Sequence, residues 1–324
     1  MKEKMVLVLI PVDEEAKRTL EAAGPGCHFV YDDPEKVAKE LVQEATVVVG
    51  APPPHMLKEA NNLVLLQLSR AGTGGYVEEG VLPKGVVLCN ATGAYGVGIA
   101  EYLVGASLMM AKRLHLYRDN QAKELWKDEG DVLCLGESTT LVVGAGDIGT
   151  SFAERMQLLG SRTIGIKRVL DEKPACFEEM YTLDELDDVL PRADIVALCL
   201  PDTPKTRGLF NAARFEKMKK DAVLMNIGRG TAICADDLCA ALKEGKLLGA
   251  VLDVTDPEPL PKGHPLWTMK EVLITPHVSG GFHIAHTLRT IVQIAADNIK
   301  AMLNSGEYRS VVDFETGYKK SNTR

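Results

Sequence analysis

Residues 140–168 read TLVVGAGDIGTSFAERMQLLGSRTIGIKR and decide how the chain folds. Their pattern predicts, in order, an apolar strand, a glycine-rich turn, an amphipathic helix and a second strand at 140–143, 144–149, 150–159 and 163–166. The glycine spacing, G-x-G-x-x-G, is a weak signal alone because glycines also occur in ordinary turns. Here the motif follows a strand and opens a helix, and this context is typical of a dinucleotide-binding unit.

Each glycine of this turn has a predicted task. Gly144 makes the tight turn, Gly146 lets a pyrophosphate approach the backbone, and Gly149 lets the helix pack closely on the strand. Free N–H groups and the positive end of the helix dipole would hold the phosphates. The residues predicted to line this site are Gly144, Ala145, Gly146, Asp147, Ile148 and Gly149.

Composition limits the possible functions. The chain has 324 residues, of which 46% are hydrophobic, and this length suggests two domains with substantial cores. Its formal net charge of −8 argues against the basic surface that nucleic acid requires. We therefore expect a small-molecule partner and no nucleic acid.

The N-terminus and the cysteines predict a cytoplasmic protein that does not enter a membrane. The first apolar segment, 5–10, is short and is followed by acidic residues, so we expect a strand there and neither a signal peptide nor a membrane span. Seven cysteines without a C-x-x-C pair are typical of reduced thiols and predict no metal site and no disulfide framework. Buried thiols are expected at Cys89, Cys134, Cys199, Cys234 and Cys239.

Strand and helix patterns alternate on both sides of the region 95–135. Such alternation predicts parallel sheets with helices on both faces, here in two domains. The loop 69–75, SRAGTGG, follows the fourth predicted strand, at the end where open α/β sheets bind ligands. Its small residues fit either a flexible connection or a nest of N–H groups for an anion.

Three polar side chains follow successive predicted strands of the second domain. Arg229 comes directly after a strand and can grip a carboxylate or carbonyl oxygen through two parallel hydrogen bonds. Glu258 lies in a proline-framed loop after the next strand, and His277 follows the last one. A histidine held by a carboxylate can donate the proton that ketone reduction requires, while a nicotinamide supplies the hydride.

Each of these residues also has an ordinary structural interpretation. A strand-end arginine is usually a surface or ion-pair residue, Pro-Glu-Pro is often only a stiff loop, and a histidine after proline is often part of a capped turn. Their positions at three successive strand ends, downstream of the glycine turn, favour chemistry. The remaining histidines lack a partner pattern and are interpreted as packing or solvent-facing side chains: His28, His55, His115, His264, His283 and His286.

The order of these motifs resembles the D-isomer-specific 2-hydroxyacid dehydrogenase family. The resemblance is carried by the glycine turn, Asn226-x-x-Arg229-Gly230, Asp256-Pro257-Glu258-Pro259-Leu260, His264-Pro265-Leu266-Trp267 and Thr275-Pro276-His277. It spans nearly the whole chain and implies a Rossmann cofactor domain, residues 99–282, inserted into a flavodoxin-like substrate domain, residues 1–98 and 283–324. It also implies a homodimer built through the region 100–135.

The resemblance implies a role for each candidate residue. Arg229 would bind the carboxylate and keto oxygen of the substrate, His277 would be the acid/base, and Glu258 would support His277. Substrate contacts are implied at Arg70, Ala71, Gly72, Arg229 and His277, with the carboxylate on the backbone of Ala71 and Gly72. Cofactor contacts are further implied at Leu200, Pro201, Thr206, Ile227, Gly228 and Asp253, the last of them to the nicotinamide amide.

The nearest substrate class is small 2-keto acids such as glyoxylate and hydroxypyruvate, which the enzyme would reduce to D-2-hydroxy acids. Formate dehydrogenases of the same superfamily have glutamine where this chain has Glu258. The alternative is a corepressor-like scaffold that binds the dinucleotide with little turnover, because some corepressors keep a similar Arg/Glu/His set. We expect no disordered arms for recruiting partners after the last helix, which argues against the scaffold.

One departure from the family pattern concerns the choice of cofactor. Members that prefer NAD have an acidic residue at the end of the second strand, where it binds the ribose hydroxyls. This chain has Lys167 and Arg168 there, and cations attract a 2′-phosphate that a carboxylate would repel. The sequence therefore predicts NADP(H), with NAD(H) as a possible second cofactor; the alternative is that both cations only face solvent.

Overall fold

The computed structural model describes residues 4–170, 173–315 and 317. Its strands are β1 (Lys4–Val8), β2 (Cys27–Tyr31), β3 (Val47–Val49), β4 (Leu65–Gln67), β5 (Val87–Cys89), β6 (Thr139–Val143), β7 (Arg162–Ile166), β8 (Glu179–Tyr181), β9 (Ile195–Leu198), β10 (Ala222–Asn226), β11 (Leu247–Leu252) and β12 (Val272–Ile274). Its helices are α1 (Glu14–Ala23), α2 (Lys39–Glu44), α3 (Gly96–Ala111), α4 (Leu114–Ala122), α5 (Asp147–Leu158), α6 (Leu186–Val189), α7 (Ala212–Lys217), α8 (Ala235–Lys243) and α9 (Ala285–Asn304). Short 3₁₀ turns lie at Pro54–Met56, Leu135–Glu137, Leu183–Glu185, Leu190–Arg192, Gly230–Ala232 and Pro265–Thr268. The named strands pair in parallel, so the predicted α/β fold with two doubly wound sheets is confirmed.

The chain divides into two compact units. One contains Met1–Tyr95 and Gly281–Arg324 and so uses both ends of the chain, whereas the other is the continuous stretch Gly96–Gly280.

The first unit is built on a parallel sheet of order β2-β1-β3-β4-β5. Successive strand residues face opposite sides, so β1 supplies two cores: Val6 and Val8 pack on the side of α1 and α9, and Leu7 packs on the side of α2. Asp13 starts α1 by accepting a hydrogen bond from Ala16 N at 2.8 Å. The C-terminal end of β4 leads into the loop 69–75.

The second unit is built on a parallel sheet of order β12-β11-β10-β9-β6-β7-β8. The chain order reverses where β9 lies beside β6, and open α/β sheets bind ligands at the carboxyl ends of the strands at such a point. β6, β7, β9, β10 and β11 are almost continuously apolar and buried, as strands covered on both faces must be. All predicted catalytic residues and all predicted cofactor-binding residues lie in this unit.

The described residues differ from the sequence expectations in several elements, among them α9, which the pattern predicts from Gly281 but which begins at Ala285. β8 was not predicted, because its three half-buried residues give no periodic signal. The sequence pattern predicts one long helix from Gly98 to Arg118, but the structure breaks it into α3 and α4 at Arg113, whose φ of 54° is left-handed. The pattern also predicts a helix over 34–44, but α2 begins only at Lys39, because Lys36 and Val37 instead close a turn on the carbonyl of Asp33.

The cysteine prediction was partly wrong. All seven cysteines are free thiols, and Cys89 and Cys239 are buried as expected. Cys134 is exposed, and Cys199 and Cys234 are only partly buried, because apolar neighbours in sequence do not determine which side chains reach the core. In the described part of the chain, no helix is both long and apolar enough to span a membrane.

Candidate active site

The glycine turn joins β6 to α5. Gly144 has a φ of 106°, and a Cβ there would lie 2.5 Å from the carbonyl oxygen of Cys199, so only glycine fits. A Cβ at Gly149 would lie 2.3 Å from Gly144 O and 2.6 Å from Val142 Cγ1, which shows how closely α5 packs on β6. At Gly146 nothing lies within 4 Å of where a Cβ would be. The turn therefore keeps an open approach to the backbone at Gly146, which suits a pyrophosphate.

The N-terminus of α5 faces this open approach. Ala145 N donates to Ile166 O at 2.9 Å, whereas the N–H groups of Ile148 and Gly149 donate to no acceptor within the residues that the structure describes. Such N–H groups, together with the helix dipole, form a site for phosphate oxygens. Asp147 turns its carboxylate toward the start of α3, where a Cβ on Gly96 would lie 2.8 Å from Asp147 Oδ1. The Asp147 carboxylate therefore lies beside the first residue of α3.

The loop after β9 lies against the glycine turn. Leu200 Cδ2 would be 3.3 Å from a Cβ at Gly144, so these two predicted cofactor residues are neighbours. The buried hydroxyl of Thr206 donates to Pro201 O at 2.7 Å and accepts from Thr203 N at 2.9 Å. Thr206 thus shapes the loop from within.

The end of β10 packs closely on the same loop. Ile227 is buried, and Ile227 N donates to Leu198 O at 3.2 Å. A Cβ at Gly228 would lie 2.3 Å from Leu200 O, so only glycine lets the two chains approach this closely. Asn226 Oδ1 accepts from Gly228 N at 3.1 Å, and Asn226 Nδ2 donates to Arg229 O at 2.9 Å. The buried Asn226 therefore fixes the turn that presents Arg229.

Arg229 is exposed beyond the end of β10, while the flanking Gly228 and Gly230 are buried. Its backbone is extended, with φ −140° and ψ 140°. A Cβ at Gly230 would lie 2.0 Å from Thr255 O, so the arginine turn touches the loop that leads to Glu258. One guanidinium nitrogen, Nη1, donates to Gly228 O at 2.6 Å, which leaves the other edge of the guanidinium for a ligand.

An ion pair that the sequence did not reveal stands beside this turn. Arg207 binds Asp202 through two hydrogen bonds of 2.7 Å each, and Thr231 Oγ1 donates to the same carboxylate at 3.0 Å. Arg207 above all, with smaller contributions from Thr231 and the charge of Arg229, lowers the pKa of Asp202 from its usual value. The Asp202 carboxylate thus joins the loop after β9 to the arginine turn.

Glu258 and His277 are brought together although 18 residues separate them in the sequence. His277 Nδ1 lies 2.6 Å from Glu258 Oε1, and both side chains are roughly half exposed. The peptide bonds before Pro257 and Pro259, on either side of Glu258, are both cis. A carboxylate can only accept, so the proton of this hydrogen bond belongs on Nδ1, and Nε2 is the ring nitrogen that this bond leaves available.

The backbone of His277 is unusual. Its φ of 53° is left-handed, a conformation that costs a non-glycine residue roughly 1–2 kcal/mol. His277 N donates to Asp253 O at 2.8 Å and to Thr275 O at 3.0 Å, and these bonds close the turn after β12. The position of the imidazole therefore depends on the end of β11, where Asp253 lies.

Asp253 is almost completely buried, and its carboxylate serves this turn. Oδ1 accepts from Thr275 Oγ1 at 2.6 Å and from Val278 N at 2.9 Å, while Oδ2 accepts from Ser279 N at 3.0 Å. Both oxygens are therefore engaged with the segment that carries His277. The sequence assigned Asp253 only to the cofactor and did not anticipate these contacts.

The two cations predicted to bind a 2′-phosphate lie at the carboxyl end of β7. Lys167 is partly buried, and its backbone N donates to Tyr181 O at 2.9 Å. Arg168 is exposed. Both therefore stand at the strand end next to the glycine turn, since Gly144 N donates to Ile166 O at 3.0 Å.

The predicted substrate residues of the first unit lie at the carboxyl end of β4. Arg70 and Ala71 are exposed and Gly72 is partly buried. Arg70 Nη2 donates to Gly74 O at 3.0 Å, so the guanidinium folds back over its own loop. This loop is anchored through its carbonyl oxygens, one of which accepts from Asn90.

The chain matches the sequence model of one protein family. The model described as D-isomer specific 2-hydroxyacid dehydrogenase, NAD binding domain, matches residues 104–279. The chain belongs to this family of dehydrogenases. Glyoxylate/hydroxypyruvate reductase A of Photorhabdus laumondii is 32% identical to it over 84% of this chain and 87% of that protein.

Solved structures of the family agree. A D-isomer-specific 2-hydroxyacid dehydrogenase family protein from Aeromonas salmonicida has a TM-score of 0.84 and 32% identity and covers 97% of this chain and 100% of its own. The NADPH-dependent glyoxylate/hydroxypyruvate reductase of Sinorhizobium meliloti, solved with NADP and sulfate, has a TM-score of 0.81 and 26% identity, covering 98% of this chain and 100% of its own. The resemblance seen in the sequence is confirmed, and this dehydrogenase is an NAD(P)-dependent oxidoreductase.

The sequence did not predict that Tyr102 and Thr275 support the turn of His277. Tyr102 Oη lies 2.7 Å from Thr275 Oγ1, and burial raises the pKa of this tyrosine, so its hydroxyl remains protonated. Because Thr275 gives its own proton to Asp253, Tyr102 must be the donor to Thr275. A chain of hydrogen bonds thus runs from α3 to the turn of His277. Only the position of Thr275, two residues before the histidine, offered a signal.

Proposed function

We propose that this dehydrogenase reduces small 2-keto acids of the glyoxylate and hydroxypyruvate class to D-2-hydroxy acids, with NADPH as the reductant. When bound, the dinucleotide supplies a hydride from its nicotinamide. The observation that carries the proposal is the 2.6 Å contact between His277 Nδ1 and Glu258 Oε1 in a unit that also holds the glycine turn. A histidine oriented by a carboxylate is the proton donor that reduction of a ketone needs.

The proton would leave from His277 Nε2. Because Glu258 accepts from Nδ1, that nitrogen keeps its proton throughout, and Nε2 alone gains and loses one. Glu258 also fixes the orientation of the ring before reduction begins. After transfer to the keto oxygen, the neutral ring remains oriented by the same hydrogen bond, ready to be protonated again from solvent.

Arg229 would hold the substrate during this transfer. Its exposed guanidinium, on a turn fixed by Asn226, can bind the carboxylate and polarise the keto oxygen through parallel N–H groups. The backbone N–H groups of Ala71 and Gly72, next to Arg70, would receive the substrate's carboxylate. These roles follow the family pattern residue by residue.

NADP(H) is the proposed cofactor. The open backbone at Gly146 and the helix N-terminus behind it suit the pyrophosphate. Lys167 and Arg168, at the carboxyl end of β7, are proposed to attract the 2′-phosphate, and the Sinorhizobium meliloti reductase, by its description, is NADPH-dependent. Asp253 is proposed to contact the nicotinamide amide.

We further propose a homodimer built through residues 100–135, a cytoplasmic location, and domains that divide near 98/99 and 282/283.

The test is a spectrophotometric panel of 2-keto acids with NADPH and with NADH. We expect loss of nicotinamide absorbance with glyoxylate or hydroxypyruvate, a D-configured product from substrates that give a stereocentre, and a higher kcat/KM for NADPH. Cofactor binding without turnover across the panel would overturn the proposed reaction. Equal kcat/KM values, or a preference for NADH, would overturn the cofactor assignment alone.

A further inference from the structure

Three consecutive carbonyl groups of the loop after β4 are held from the same side. Ser69 O accepts from Tyr95 Oη at 2.5 Å, Arg70 O accepts from Ala91 N at 3.1 Å, and Ala71 O accepts from Asn90 Nδ2 at 2.8 Å. All three donors belong to the short segment 90–95 that follows β5. The loop is therefore fastened through its acceptors.

This arrangement fixes the direction of the loop's donors. In a trans peptide the N–H of one residue points opposite to the C=O of the residue before it. The N–H groups of Arg70, Ala71 and Gly72 therefore point away from the segment 90–95. None of these three groups donates to an acceptor in the part of the chain that the structure describes. Successive N–H groups that are left unpaired on one side of a loop can bind an anion as a nest.

Asn90 is itself firmly held. It is 2% exposed, its Oδ1 accepts from Thr92 N at 3.2 Å, and its backbone N donates to Ser310 O at 3.1 Å. Gln67 Nε2, also buried, donates to Asn90 O at 3.1 Å. The side-chain amide that donates to Ala71 O is therefore held in place, because Asn90 Oδ1 and the backbone N–H and C=O of Asn90 are hydrogen-bonded as well.

Tyr95 supplies a second clamp of a different kind. Its phenol is partly buried, and this burial raises the pKa of Tyr95 to about 12, although the nearby charge of Arg70 opposes the shift. The hydroxyl therefore carries its proton at every pH at which the enzyme would work. It can only serve the loop as a donor to Ser69 O, because the carbonyl cannot donate in return.

We propose that Asn90 and Tyr95 are positioning residues for the substrate's carboxylate. They hold the carbonyls of the loop so that its N–H groups are already oriented when a carboxylate arrives, which removes the entropic cost of ordering the loop. The inference rests on the proposed function, because it takes Ala71 and Gly72 as the carboxylate site. Neither residue touches the reacting atoms, so both act through the loop.

The test measures carboxylate binding independently of turnover. Oxalate shares the carboxylate and adjacent carbonyl carbon of a 2-keto acid and accepts no hydride, so its Kd can be measured by isothermal titration calorimetry with and without NADP+. Tyr95→Phe deletes one hydroxyl, and Asn90→Ala deletes the amide. Each should raise the Kd for oxalate and the KM for glyoxylate about three- to ten-fold, the effect of one hydrogen bond, while the Kd for NADP+ and kcat stay unchanged.

The matched control is Tyr31→Phe, which removes a tyrosine hydroxyl bonded to Glu21 at 3.0 Å on the opposite edge strand of the same sheet. It should leave the Kd for oxalate unchanged. If Asn90→Ala fails to fold, Tyr95→Phe decides. Wild-type values in Tyr95→Phe, or a wild-type protein that does not bind oxalate, overturn the inference. A wild-type protein that binds oxalate in the predicted way but reduces no keto acid overturns the proposed reaction and leaves the inference standing.

Discussion

At the scale of single residues, the Asp253 carboxylate holds the turn that carries His277. The left-handed backbone of His277 is unfavourable by itself, and it persists because its neighbours over-determine it. The Asp253 carboxylate holds the turn in place by accepting hydrogen bonds from Thr275 Oγ1, Val278 N and Ser279 N. A buried carboxylate that satisfies three donors is therefore better explained by the position of the acid/base than by the cofactor alone.

Asp253→Asn tests whether Asp253 positions His277 or contacts the nicotinamide amide of the cofactor. An amide offers one oxygen where the carboxylate offers two, so one of the N–H donors of Val278 and Ser279 loses its acceptor and His277 shifts. We expect kcat to fall about ten- to hundred-fold, the usual cost of a small misplacement of a catalytic group, with the KM for NADPH unchanged. A raised KM for NADPH with normal kcat would instead support a contact to the nicotinamide amide. Thermal unfolding of both proteins checks that the fold survives.

Arg229→Lys tests the planar guanidinium. Lysine keeps the charge but presents a single ammonium group, which cannot bind a carboxylate and a keto oxygen through parallel hydrogen bonds. We expect kcat/KM for glyoxylate to fall about a hundred-fold or more, from the loss of charge-assisted bonds. Arg309→Lys is the matched control, since Arg309 forms an exposed ion pair with Asp297 in the other unit and should tolerate the change. Near-normal kinetics in Arg229→Lys would remove this residue from the mechanism.

At the scale of elements, the sequence predicted those whose pattern is long or whose turn chemistry is specific. β6, the glycine turn and α5 were predicted because apolar strand, motif and amphipathic helix agree with one another. β8 was not, because its residues Glu179, Met180 and Tyr181 are only half buried and are held by charge pairing instead of apolar alternation. The break at Arg113 was also invisible, since nothing in its residue type demands a left-handed conformation.

The charge pairing on β8 gives the protein a predicted acid-sensitive element. Glu179 is bound by Arg192 Nη2 at 2.5 Å and also by Tyr181 and Arg162, and Arg192 first, then Tyr181, lowers the pKa of Glu179 to about 2. A carboxyl group whose folded pKa is depressed contributes stability above its unfolded pKa and loses it as the pH falls toward the folded value. The contribution is therefore full near pH 7 and declines between about pH 5 and pH 2.

Glu179→Gln should accordingly lower Tm at pH 7 by about 2 °C, because a partly exposed ion pair is worth roughly 1 kcal/mol. At pH 3 the difference from the wild type should be smaller, since the wild-type carboxylate is then closer to protonation. Differential scanning calorimetry at the two pH values measures both differences. Glu79→Gln, at an exposed loop position, is the control and should show neither. An equal Tm difference at pH 7 and pH 3 would contradict the assignment.

At the scale of the whole molecule, local motifs predicted which residues are candidates for catalysis but not which hydrogen bonds support their loops. Arg229, Glu258 and His277 each follow a strand in the sequence, so topology alone brings their loops to one edge of the second sheet. The supporting pairs join residues far apart in the chain, such as Tyr102 with Thr275 and Asn90 with Ala71. Single hydroxyl or amide contacts of this kind have no periodicity, so no sequence pattern announces them.

The continuous second unit should fold and bind cofactor by itself. Residues 96–280 contain a complete seven-stranded sheet with its own buried core, the glycine turn and the predicted catalytic residues. Expressed alone, this fragment should unfold cooperatively, and NADP+ at about a hundred times its Kd should stabilise it by about 2.7 kcal/mol, or roughly 5–10 °C in Tm. It should not reduce glyoxylate, because it lacks Ala71 and Gly72, the proposed carboxylate site.

Gly146→Val in the same fragment decides whether the stabilisation reports the predicted site. The position has an extended backbone, φ −94° and ψ −154°, and open space around a Cβ, so a side chain can begin there without a clash. Because Gly146 is the N-cap of α5 and valine caps a helix less well than glycine, Tm without cofactor should fall by about 2–4 °C. Its side chain would fill the approach to the backbone that a pyrophosphate needs, and the rise in Tm with NADP+ should disappear. Calorimetry of both fragments with and without NADP+ measures this. A Gly146→Val fragment stabilised as much as the parent would show that the dinucleotide binds elsewhere in the unit.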